Sequence, residues 1–295
     1  MRALYSILLT LAALDPVFAG QRFQLEREYE IQNSSRDQAF PITVRLPGLA
    51  SYYNSKVLTA AYDPQPTAVN AKGERGEQLE YQFELAPGQK IPLRMVWTVE
   101  LEPGEETMAK PVLLSDADRA LYTSAEKLIE SDNVLIVSLA NEIRQTAAAD
   151  RQFIKAAYAR VKAQMKYVKF GSDNKGALYA LQNKKGDCTE YAALIVALNR
   201  AAGIPARINT VMSMRKDGKA LYDNHNNAEV YLDGKWLPVE PMFGVKEIGR
   251  LTDDEIILRL GWPSASLPWA SWSVSKKFDK YKNVKLKGHR WQKLN

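Results

Sequence analysis

Cysteine and histidine are nearly absent from this sequence. Its 295 residues include one cysteine, Cys188, and two histidines, His225 and His289. A lone cysteine forbids an intrachain disulfide. Residues 20–111 contain neither residue type, so that stretch offers no thiol or imidazole chemistry. Beyond the first residues, no apolar run is long enough to span a bilayer. Charge of one sign is also scarce: the formal net charge is +6, so its distribution matters more than its total. Hydrophobic content of 46% with 25% charge excludes a disordered, collagenous or coiled-coil chain. It suits a soluble globular protein of roughly two domains.

Residues 1–19 have the features of a secretory signal peptide. Arg2 supplies the charge, Ala3–Leu14 the apolar run and Asp15-Pro16 a break. Val17-Phe18-Ala19 resembles a small-residue cleavage site before Gly20. The expectation is a periplasmic or secreted protein with no transmembrane segment in the mature chain. Exported chains commonly use cysteines in disulfides. An unpaired thiol kept there is an oxidation liability, which favours a working role for Cys188.

Period-two alternation dominates residues 20–111, the expected β-sandwich domain. Phe23, Leu25, Tyr29 and Ile31 point one way and Gln24, Glu26, Glu28 and Glu30 the other. Val44 and Leu46, then Val57–Tyr62, continue the pattern. Residues 63–78 read as a polar loop. Leu79, Tyr81, Phe83 and Leu85 alternate again, as do Ile91, Leu93, Met95, Trp97, Val99 and Leu101 after the Pro87-Gly88 turn.

Pro103-Gly104-Glu105-Glu106 and Pro111 mark a boundary, and the period then becomes helical. Ser131 or Asp132 can cap one helix and Asp150 a second. A loop rich in Gly, Lys and Asn leads to a third, over Cys188–Ala202. Asp187 is its expected N-cap, with Glu190 completing a capping box. Gly203 fits the C′ position, and Pro205 bars continuation. Three strands follow: Ala206–Met214, Ala228–Leu232 and Lys235–Val239. Asp233-Gly234 is the hairpin turn between the last two. Thr252-Asp253-Asp254-Glu255 reads as another helix start, its acids complementing the dipole rather than binding calcium. No metal or cofactor is expected.

Cys188 falls in the first turn of its helix, where unpaired N–H groups and the macrodipole favour a thiolate. Cysteine catalysis also needs a histidine to hold the proton and a group to orient it. His289 lies in a basic tail. His225 sits at the edge of a strand, and the hairpin that follows brings Glu240 back towards it, since antiparallel strands rise alike.

These residues carry a resemblance. Gly186-Asp187-Cys188-Thr189-Glu190-Tyr191-Ala192, continuing through Leu198–Arg207, resembles the cysteine segment of the transglutaminase-like superfamily. His225–Leu232 resembles its histidine segment, and Trp236–Pro241 its third segment. The resemblance covers about residues 130–245. It implies an α+β fold with a papain-like core, placing the cysteine at a helix N-terminus packed on an antiparallel sheet. It further implies Cys188 as nucleophile, His225 as general base and acid, and Glu240 as orienter. Glu240 departs from the family's usual Asp, and Asn227 stands where the family often has Trp. Glu229 resembles a structural position.

The implied chemistry is acyl transfer from a peptide or isopeptide amide through a Cys thioester, with water favoured as acceptor. The Cys188 N–H would contribute to the oxyanion hole, and Tyr167 is either a second donor or a core residue. The other reading is a non-catalytic module that binds peptides or envelope components. The catalytic domain is expected over 112–261 and a basic, Trp-rich extension over 262–295. Residues 276–295 carry eight Lys or Arg against one acid. That tail is either a terminal strand with a wet basic face or a binder of anionic cell-envelope surfaces; nucleic acid is not expected.

Overall fold

The computed structural model describes residues 20–71, 77–102, 109–169, 171, 174–215, 220–241, 248–249, 255–260 and 284–294. The expected signal peptide, Pro103–Glu106, Thr252–Asp254, and Trp262, Trp269 and Trp272 lie outside these residues.

The alternating first third forms seven strands: β1 (Gln21–Gln32), β2 (Phe40–Pro47), β3 (Leu49–Ala50), β4 (Ser55–Asp63), β5 (Ala68–Ala71), β6 (Glu77–Leu85) and β7 (Lys90–Leu101). Next come α1 (Asp116–Thr123), α2 (Val134–Thr146), α3 (Asp150–Gln164), β8 (Lys166–Tyr167), α4 (Gly176–Asn183), β9 (Lys185–Gly186) and α5 (Cys188–Ala201). The chain continues with β10 (Ala206–Arg215), β11 (Ala220–Leu232), β12 (Lys235–Val239), β13 (Glu255–Leu260) and β14 (Val284–Lys293).

Two sheets make the sandwich, ordered β14-β1-β7-β4 and β2-β6-β5. Alternation places Phe23, Leu25, Tyr29 and Ile31 inside, where they share one apolar cluster with residues of β2, β6 and β7. Trp97, fully buried, lies in this cluster. β5 arises within the stretch read as a polar loop. It is a short edge strand paired to β6 by its backbone, and Ala68, Val69 and Asn70 are exposed. Such a strand leaves no hydrophobic period to read.

Within the basic segment, residues 284–293 form strand β14, which runs along β1 from Phe23↔Lys293 to Ile31↔Val284. Its cations meet the outward acids of β1: Arg290 pairs with Glu26 and Glu28, each at 3.2 Å, and Lys287 with Glu30 at 3.8 Å. Trp291 packs edge-on against Phe23, with ring centroids 4.9 Å apart.

The second core surrounds α5. Every residue of α5 from Thr189 to Arg200 is buried, as expected of a helix enclosed on all sides. A five-stranded sheet, β12-β11-β10-β13-β3, covers one side; α2, α3 and α4 also pack against the helix. β3 belongs to this sheet although it lies in the sandwich part of the sequence. The following turn carries Tyr52, buried at the sheet, and Tyr53, whose hydroxyl donates to the Gly249 carbonyl.

Several boundaries differ from the sequence reading. The N-cap of α2 is Asn133, whose Oδ1 accepts from the Leu135 N–H at 3.0 Å, not Ser131 or Asp132. Asp150 is the first residue of α3 rather than its cap, and it binds Arg144 instead at 2.6 Å. The Gly, Lys and Asn-rich loop contains α4. Gly176 opens that helix at φ +81°, where a Cβ would lie 2.7 Å from the Leu128 Cα. β11 starts at Ala220, so His225 lies inside the strand rather than before it. Residues 255–260 form a strand, not a helix. The run Glu-Ile-Ile-Leu-Arg-Leu is short and partly β-branched, and the strand fills the gap between β10 and β3.

On the sheet, Arg207 Nε donates to Glu229 Oε2 at 2.5 Å with both side chains buried, and the guanidinium stacks 4.0 Å over Trp236. Breaking a buried pair strands one charge in a dry site. Glu229→Ala should therefore lower unfolding free energy by about 3–5 kcal/mol, measured by urea denaturation. A loss under about 1 kcal/mol would show that the pair is not buried as described.

Candidate functional site

The site begins with the start of α5. Asp187 Oδ1 accepts from the Thr189 N–H at 2.9 Å, and Glu190 Oε2 accepts from the Asp187 N–H at 3.0 Å. This is the reciprocal capping box. Glu190 Oε1 also takes the Lys175 N–H at 2.9 Å, and Asp187 Oδ2 the Gly171 N–H at 3.2 Å. Burial pushes the Glu190 carboxyl up; the backbone donors pull it down, and Asp187 raises it again, for a net rise. Gly186 is required here, because a Cβ would lie 2.2 Å from that of Glu190. The far end is equally defined: Gly203 at φ +78° sends its N–H to Arg200 O, and the Ile204 N–H bonds Asn199 O, a Schellman stop. Cys188 is thus held as the first helical residue, half-buried.

The partners arrive on the hairpin. Asp233 and Gly234, at φ 51° and 78°, make a turn with both central residues left-handed. The register Ala228↔Val239 then returns Glu240, one residue past β12, to the level of Asn227, two residues along β11 from His225. His225 Nε2 lies 2.9 Å from Glu240 Oε2, and both side chains are almost fully buried. The extra methylene of Glu relative to Asp does not prevent contact. His225 also hydrogen-bonds the Cys188 side chain. Burial pulls the imidazole pKa down, but the Glu240 carboxylate, together with Cys188, outweighs it. The net is a rise from 6.5 to about 10. Tyr158 of α3 feels the same carboxylate: burial and the Glu240 charge raise its pKa.

Cys188, His225 and Glu240 are therefore brought together. His289 is not: it pairs with Arg27 in the sandwich sheet. Tyr167 is not core; it lies on β8 beside Gly186 with 45% of its surface exposed. Glu229 holds Arg207. Asn227 is buried and donates to the Tyr52 hydroxyl at 3.4 Å, linking the histidine strand to the sandwich segment. The sequence reading did not single out Tyr158. It also missed the contact of Asn226 with Thr189, which no periodicity or motif marks.

A cysteine at a buried helix start, bonded to a histidine on an antiparallel sheet, is the arrangement of a papain-like, cysteine-protease-type fold. Residues 137–241 match the family model of the Transglutaminase-like superfamily. Among solved structures, the chain is similar to a candidate cysteine protease from Cytophaga hutchinsonii. The TM-score is 0.63 at 14% identity, covering 94% of this chain and 91% of that one. It also matches the periplasmic domain of TgpA from Pseudomonas aeruginosa (TM-score 0.41, 17% identity, 76% and 88% covered). A third match is LapG from Legionella pneumophila (TM-score 0.33, 14% identity, 59% and 96% covered). No curated protein matches the chain.

The raised His225 pKa has a stability consequence of fixed sign. The folded state holds the imidazole proton more tightly than the unfolded state, so the contribution is complete below about pH 6.5. It declines as pH rises and is lost above about 10. Thermal melts from pH 6 to 10 should therefore show the wild type losing more Tm than Glu240→Gln, which lacks the anion. Parallel curves would contradict the linkage.

Proposed function

We infer that the protein is an exported cysteine enzyme that opens peptide or isopeptide amides in protein substrates, with hydrolysis as its main outcome. The observation that carries this reading is the 2.9 Å contact of His225 with Glu240 on an imidazole that also bonds Cys188. Glu240 occupies one ring nitrogen, which leaves the other for the thiol and fixes the imidazole orientation. The raised imidazole pKa keeps the abstracted proton on His225.

The steps follow from those positions. Cys188 Sγ, as thiolate, attacks the amide carbon, and the oxyanion is met by the Cys188 N–H at the positive end of α5. The C–N bond breaks, and the His225 proton passes to the leaving amine, giving a thioester. His225 then takes a proton from water. The resulting hydroxide attacks the thioester, the acid is released, and Cys188 leaves as a thiolate partnered by protonated His225. Cys188 is half-buried and therefore open to a substrate, whereas His225 and Glu240 are covered. Export rests on residues 1–19 and places the enzyme in the periplasm or outside the cell.

Cys188 is the only thiol, so alkylation reads the site directly. At pH 6 iodoacetamide should modify the wild type at least about tenfold faster than His225→Ala. Equal rates would sink the catalytic pair. With denatured protein as substrate in ¹⁸O-water plus monodansylcadaverine, labelled carboxylates should outnumber amine adducts. Cys188→Ala should produce neither, and His225→Ala should be slower by about a hundredfold or more. A majority of amine adducts would reassign the outcome to transfer.

A further inference from the structure

The residues that follow Cys188 and His225 in sequence are bonded to each other. Asn226 Nδ2 donates to Thr189 Oγ1 at 2.9 Å, and Thr210 Oγ1 donates to Asn226 Oδ1 at 2.9 Å. Thr210 and Asn226 are directly opposed on β10 and β11. Thr189, Thr210 and Asn226 are all buried, so water does not compete for these bonds. The carboxamide is held at both ends, its oxygen by the sheet and its nitrogen by the first turn of α5.

We propose that Asn226 is a positioning residue that sets the spacing of Cys188 and His225 through this Thr189–Asn226–Thr210 brace. The inference rests on the reading of Cys188 and His225 as nucleophile and base. Elsewhere α5 meets the sheet through apolar side chains, among them Ala192, Ile195, Ala228 and Val230, and, at its far end, through Arg200 Nε, which donates to the Ala206 carbonyl at 2.8 Å. Apolar burial is non-directional and does not by itself fix the helix along the strand. A hydrogen bond does, because it weakens steeply with misalignment. Thr189 and Asn226 each lie one peptide, about 3.8 Å between Cα atoms, from a reacting residue. A slip between helix and strand would therefore pass almost undiminished to the Sγ–imidazole distance. Proton transfer tolerates little of that, and a misplacement of about 1 Å can cost a hundredfold. Asn226 is not itself offered to the substrate: its amide is spent on Thr189, and only 8% of the residue is exposed.

The test uses the full chain and the iodoacetamide rate of Cys188 from pH 5 to 9, with circular dichroism and a thermal melt on every variant. Thr189→Val preserves the side-chain shape and removes the acceptor; Thr189→Ser restores it. At pH 6 Thr189→Val and Asn226→Ala should each react about tenfold more slowly than wild type, and at pH 9 the rates should converge. The double variant should be no slower than the slower single, since both break one link. Thr189→Ser should stay within about twofold of wild type. If Asn226→Ala does not fold, the two Thr189 variants decide. A folded Thr189→Val with the wild-type profile, or a double variant in which the two losses multiply, overturns the brace. A wild type faster than His225→Ala at pH 6, with Thr189→Val unchanged, removes the brace alone. A wild type no faster than His225→Ala overturns the catalytic pair and the brace with it.

Discussion

Everything at this site depends on α5 being buried along its length while its first residue stays reachable. A helix start enclosed in protein must satisfy its free N–H groups internally or lose stability. Asp187 and Glu190 do this reciprocally, and Gly186 gives the room, since a Cβ there would collide with Glu190. The cap therefore does two things at once. It stabilises the buried end of the helix, and it holds Cys188 at the one position in the turn where the backbone dipole meets the thiol.

The second requirement is a buried imidazole that carries charge. Taken alone, His225 in so dry a place would be neutral, because burial disfavours the charged form. Glu240, itself buried, reverses that balance. The two carry meaning only together, and their meeting is a property of the hairpin: the register across Asp233-Gly234 brings the carboxylate back to the ring.

Much of this was legible in the sequence because it rests on short-range rules. The capping box, the Gly203 stop, the Asp233-Gly234 turn and the alternation of β1 are each written in residues close together along the chain. The sandwich followed from the alternation, and the papain-like fold class from the resemblance of the Cys188, His225 and Glu240 segments to the transglutaminase-like superfamily. What escaped depends on contacts between distant segments. The Glu255–Leu260 strand was read as helix because its acidic approach mimics a helix start, while its pairing with β10 and β3 is set by the rest of the sheet. α4 hid in a Gly and Lys-rich stretch because it is only eight residues long. Asn226, which the sequence reading left just before the strand Ala228–Leu232, drew no notice, since nothing local announces that Thr189 lies across from it.

The pairing of β14 with β1 also bears on how the molecule is made. β1 is the first strand of the sandwich, and one of its neighbours is formed by residues 284–293. During synthesis, β1 emerges well before β14, and that edge cannot be zipped until residues 284–293 have followed. Contacts so distant in sequence form late and slow folding. The finished sandwich is thus withheld until residues 284–293 have been made. The molecule assembled on that schedule reaches its final form only once that strand has arrived.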